Sequence, residues 1–128
     1  MSLISKFLFL LLLSSSAIAK EIKIDDCYNQ QGSDFVLECF NEKVETESKK
    51  YESLRHYFIK RTVGEIENGQ EFVKDERSVN KRWLNFINRD CKMYALSTGE
   101  KDSRVYNVGY SECILNKYRE RENYFSEQ

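Results

Sequence analysis

A chain of 128 residues with 20 Lys and Arg against 21 Asp and Glu has a formal net charge of −1. Its cations alternate with acids along the sequence, which argues against the clustered basic excess that nucleic acid or an anionic membrane calls for. No linker rich in Pro, Gly or Ser divides it, so a single domain is expected.

The chain begins like an export signal. Lys6 precedes an unbroken apolar run over residues 7–13, followed by serines 14–16 and then Ala17, Ile18 and Ala19. The run is much shorter than the roughly 20 residues of a membrane-spanning helix, and the small residues suit cleavage before Lys20. No cysteine stands where a lipoprotein requires one. The sequence therefore predicts a cleaved signal peptide over 1–19 and a single helical domain over 20–128. It also predicts periplasmic or secreted location with no stable membrane anchor, and a mature balance of 19 basic against 21 acidic residues once Lys6 is removed. The stretch Glu21, Ile22, Lys23, Ile24 alternates only weakly and reads as a frayed arm.

With no proline and five glycines, long helices are permitted. Phe40, Val44, Tyr51, Leu54, Phe58 and Ile66 recur at helical spacing, interrupted by Glu47. Ser33 before Asp34 is the expected N-cap and Gly69 the expected stop, with Gly64 a possible break. A second amphipathic helix carries Phe72, Val79, Trp83, either Phe86 or Ile87, Cys91 and Tyr94, and should end before Ser97. A polar loop over 97–104 follows, and a third helix starts near Val105. Its apolar positions are Val108, Ile114, Leu115, Tyr118 and Phe125, and Lys117, Arg119, Glu120, Arg121 and Glu122 are expected to form a solvated, internally paired surface. The fold class that follows is all-α: an antiparallel bundle of about three amphipathic helices braced by two disulfides, with Trp83 at its centre. Tyr51 and Tyr118 are assigned to packing. Tyr57, Tyr106, Tyr110 and Tyr124 are left open between surface anchors and half-buried packing.

Cys27, Cys39, Cys91 and Cys113 in a short exported chain read as a disulfide framework. Three pairings exist, and proximity favours Cys27 with Cys39 and Cys91 with Cys113. A zinc site is disfavoured, since no two cysteines have C-x2-4-C spacing and His56 is the only histidine. His56 has no companion nucleophile signature and reads as a surface residue. The carboxylate pairs Asp25 with Asp26, Glu45 with Glu47 and Glu65 with Glu67 are expected to face water or to pair with Lys and Arg. With no phosphate loop, dinucleotide fingerprint or calcium loop either, the sequence predicts a non-enzyme with no cofactor, no metal and no nucleic-acid partner.

From Trp83 to Cys91 the chain reads W-L-N-F-I-N-R-D-C, and from Cys113 it reads C-I-L-N-K-Y-R-E-R, ending at Arg121. This resembles the LprI-like lysozyme inhibitor family. The typical Trp, aromatic, Cys, second Cys and Arg fall at Trp83, Phe86, Cys91, Cys113 and Arg121, while Ile87 and Asn88 depart from the usual Arg and Asp, and Ser48 and Tyr51-Glu52 from the usual Asp and Leu-Asn. The resemblance implies an all-helical envelope protein that blocks lysozyme-type peptidoglycan hydrolases. The loop carrying Gly99, Glu100, Asp102 and Arg104 is the expected contact region, its acids suited to a basic enzyme surface; a plain solvated connection is the alternative. Other expected roles are an immunity protein against a delivered toxin and an envelope assembly factor.

Overall fold

The computed structural model describes residues 25–127. The expected signal peptide, its cleavage site and the Glu21–Ile24 arm lie outside the described residues. Four helices follow in order: α1 (Asp25–Tyr28), α2 (Ser33–Glu65), α3 (Gly69–Thr98) and α4 (Arg104–Ser126). Among the described residues there is no strand, and no helix is long and apolar enough to cross a membrane. The all-α expectation is met, with one short helix more than the periodicity indicated.

The helix ends depart from expectation for local reasons. The N-cap of α2 is Gly32 rather than Ser33. Its φ of 100° lies where a Cβ is strained, so glycine suits this turn. Ser33 sits in the first turn, and its hydroxyl accepts a hydrogen bond from Arg104 Nη1 at 2.9 Å. Helix α2 runs through Gly64 unbroken and stops at Glu65, with Ile66 extended. Gly69 does not end α2 but begins α3, because a Cβ there would lie 3.0 Å from Val63 Cγ1. Helix α3 continues through Ser97 and Thr98. Helix α4 begins at Arg104, where the Ser103 hydroxyl caps it by accepting from the Tyr106 amide at 3.2 Å.

Helix α4 packs along both α2 and α3, whereas α2 and α3 touch each other much less. Cross-contacts fix the directions. Ser33 meets Arg104, Asn41 accepts from Ser111, and Lys50 meets Glu122, so α2 and α4 run parallel. Thr98 lies against Gly109, Cys91 is bonded to Cys113 and Trp83 packs on Tyr118, so α3 runs against them. Three layers of side chains fill the bundle. Phe40 and Leu115 pack with Cys27, Val36 and Val108; Ile87, Cys91 and Ile114 follow, with Val44 shared between the two groups. The third layer is aromatic. Tyr51, only 1% exposed, stacks on Trp83 at 5.0 Å between ring centroids and lies against Tyr118 and Phe125, and Phe125 meets Phe58.

Tyr51 thus holds the centre expected for Trp83, which is half-buried beside it. The choice between Phe86 and Ile87 is also settled. Ile87 belongs to the inner face with Asn80, Cys91 and Ala95, while Phe86, a third of a turn away, is 60% exposed. Phe86 is therefore a surface residue and not part of the core. The cysteines pair as proximity favoured: Cys27 with Cys39 and Cys91 with Cys113, with Cα separations of 5.5 and 5.4 Å. No described thiol is left to bind a metal.

Candidate protein-docking site

Of the contact loop expected over 97–104, residues 99–103 join the two helices that frame a cleft of about 410 Å³. The cleft lies where α1 and the starts of α2 and α4 meet the end of α3. Its wall is mainly apolar: Tyr28, Val36, Tyr94, Val105 and Val108 face it, and Gly109 forms its floor. The glycine has a steric cause, because a Cβ there would lie 2.6 Å from Thr98 Oγ1, and its absence lets α3 and α4 approach closely. Val105 is 59% exposed and Tyr94 45%, and Phe35 and Leu96, elsewhere at this end of the bundle, are also exposed.

Ser33, Thr98, Arg104 and Glu112 are the polar residues that line the cleft. Arg104 pairs with Asp34 in addition to its bond to Ser33, which ties the start of α4 to the start of α2. The Tyr28 hydroxyl donates to Glu112. Asp34 opens an exposed acidic stripe on α2 that continues through Glu38, Glu42 and Glu45, all on one face of the helix. Of the expected loop residues, Arg104 reaches the cleft and Gly99 is half-buried. Glu100 and Asp102 stand in solvent, Asp102 with a φ of 63° that aspartate tolerates better than most residues.

The family-motif residues lie elsewhere. Trp83 and Arg121 belong to the aromatic layer at the far end, where the Arg121 guanidinium carbon stands 4.7 Å from the Tyr124 ring, 5.6 Å from Phe125 and 5.7 Å from Trp83. Arg121 Nε is buried without a hydrogen-bond partner, and the faces of the three rings supply its electrostatic support. Arg121 is thus a packing residue, contrary to the solvated surface expected for 117–122.

Glu122 departs further from that expectation. It is 5% exposed and faces Glu47 between α2 and α4. Lys50 Nζ lies 2.9 Å from Glu122, and Arg119 Nε lies 3.6 Å from Glu47. Burial, reinforced by the hydrogen bond with Glu47, lifts the Glu122 carboxyl from its ordinary 4.5 to about 7, against the pull of Lys50. Glu47 Oε2 and Glu122 Oε1 are both buried with no donor in hydrogen-bond reach, and Lys50 Nζ stands 3.9 Å from Glu47 Oε2. This explains why Glu47 interrupts the apolar stripe: its partner is Glu122, not Glu45, which pairs with Lys49. The pair lines none of the clefts described above.

The four open tyrosines divide. Tyr106 is buried and Tyr110 half-buried with its hydroxyl donating to Asn88 at 2.8 Å, while Tyr57 and Tyr124 are exposed. His56 is exposed. Sequence reading missed the cleft walls, since Tyr28, Val36, Tyr94 and Val105 come from four separate segments and only the antiparallel packing gathers them. No family model matches the chain, and neither a curated protein nor a solved structure matches it. The likeness to the LprI-like family therefore rests on sequence motifs, chiefly Trp83, Phe86, Cys91, Cys113 and Arg121, with Cys39, Tyr51 and Leu54 a looser fit.

Proposed function

We propose that the chain is an exported, non-catalytic binding protein of an oxidising compartment. It holds a basic partner protein at the cleft between α1, α3 and α4 and, on the resemblance above, blocks a lysozyme-type peptidoglycan hydrolase. The observation that carries this reading is an apolar cleft with exposed Tyr94 and Val105 on its walls and the acidic α2 stripe starting at its rim. An apolar pocket surrounded by charge is the arrangement in which one inserted side chain gives affinity while charge steers the approach. Two disulfides support both parts of the reading: they persist in oxidising compartments, and they stiffen the binding end before a partner arrives. Within the cleft Glu112 is engaged by Tyr28 and Arg104 by Asp34, an arrangement that suits recognition better than proton transfer.

The test is titration of the chain from Lys20 against a panel of lysozymes and other peptidoglycan hydrolases, alongside the Tyr94→Ser/Val105→Ser variant. Both substituted side chains are exposed, so folding should be retained. Inhibition at micromolar concentration by the parent, weakened about tenfold or more in the variant, is expected. Absence of both binding and inhibition across the panel overturns the hydrolase reading, and equal potency of parent and variant overturns the placement at the cleft.

A further inference from the structure

We propose that the outward face of α3 is a contact surface for an anionic phospholipid bilayer. Val79, Phe86 and Met93 recur every seven residues and form one nearly straight row along the helix. They are 43%, 60% and 67% exposed, and Leu96 extends the patch one turn further. No described segment covers them. Arg82 and Arg89 flank this row on one side, with Lys92 and Lys81 further round the helix; all four are exposed, and none is ion-paired with another described residue. The single acid from residue 77 to residue 98 is Asp90, which is turned to Lys117 of α4 at 3.2 Å.

The basic excess that the whole-chain balance hides is therefore concentrated on one helix, while the exposed acids Asp34, Glu38 and Glu42 collect on another. Large apolar side chains flanked by Lys and Arg are the composition of interfacial helices, whose apolar groups enter the boundary between headgroups and acyl chains while the cations meet lipid phosphates. The shape favours lipid over an acidic protein. The row stands on a convex ridge, so a rigid partner would need a groove matched to side chains spaced two turns apart, whereas a bilayer deforms around each of them. The contact would hold the protein at a membrane surface without any spanning segment.

Flotation of the chain from Lys20 with vesicles of phosphatidylglycerol and phosphatidylcholine in equal parts, and with phosphatidylcholine alone, tests this. Binding to the anionic vesicles only, weakening as salt rises, is expected. Neutralising Arg82, Arg89 and Lys92 to Gln should lower the partition coefficient about fivefold per cation, roughly a hundredfold in all. Phe86→Ser/Met93→Ser should also weaken binding while leaving the charge intact. All of these positions are exposed, and unchanged circular dichroism confirms the fold of each variant. Equal binding to both vesicle types, parent-like binding by the charge variant, or retention on an acidic polypeptide with no vesicle binding overturns the proposal.

Discussion

The carboxyl pair Glu47 and Glu122 makes stability depend on pH in an unusual direction. Carboxylates held by cations usually stabilise a fold as pH rises, but the Glu122 carboxyl titrates in the folded chain near 7 rather than 4.5. Between those values the folded chain keeps a proton that the unfolded chain has released. Its contribution is therefore complete near pH 4.5, falls as pH rises to about 7, and is level above that. Thermal melts across this range should show a midpoint that declines toward neutrality, and Glu122→Gln, which keeps a donor facing Glu47 without titrating, should flatten the profile. A parent midpoint that climbs steadily from pH 5 to pH 8 would remove the raised Glu122 carboxyl from the account. Tyr51 offers a second test. Its hydroxyl donates to the buried Asn80 Oδ1, and burial raises its pKa to about 12, so it remains a donor at ordinary pH. Tyr51→Phe leaves Asn80 without that partner and should cost about 1–2 kcal/mol in a denaturant melt. Tyr51 itself was legible in the sequence, because an aromatic on the apolar stripe has few alternatives. Glu122 was not: a carboxylate between Arg121 and Asn123 resembles surface charge until Glu47 arrives from α2, some seventy positions earlier.

Helical periodicity located the three long elements but not their ends. Stripes come from many residues and tolerate local exceptions, whereas ends are decided by one or two backbone contacts. Gly69 illustrates this, since its use is to let α3 start against Val63 and not to stop α2. Gly109 is the stronger case. Alanine favours a helix interior by about 1 kcal/mol over glycine, but a Cβ at 2.6 Å from Thr98 Oγ1 and 3.4 Å from its Cβ forces α3 and α4 apart. Overpacking of this kind costs about 1–3 kcal/mol, so Gly109→Ala should destabilise the fold despite its better propensity. Thr98→Ala/Gly109→Ala should recover most of that loss in the same melt. If Gly109→Ala alone stabilises the fold, the contact with Thr98 is not limiting. Because Gly109 also floors the cleft, the paired variant separates helix spacing from partner binding.

Over the whole molecule, the sequence yielded the fold class and the cysteine pairing, because each depends on composition or on short separations. The cleft and the division of charge between α2 and α3 were not readable in this way. They arise when segments remote in sequence share a face or an end, and a charge total near zero conceals how its parts are distributed. The same packing places acids at the cleft rim and cations along α3, so an increase in salt should weaken contacts made at either surface by shortening the reach of both fields.

The two cross-links are also unevenly placed: one joins α1 to α2 and the other joins α3 to α4, and nothing covalent except residues 66–68 connects these halves. Proteolytic nicking then has two distinguishable results on a non-reducing gel. A cut at 66–68 frees two internally cross-linked fragments that separate under denaturant, whereas a cut at 99–103 leaves its two products tethered until a reductant is added. A protease that reaches the first connection therefore dismantles the molecule, while one that opens the loop beside the cleft leaves both cleft-forming helices joined.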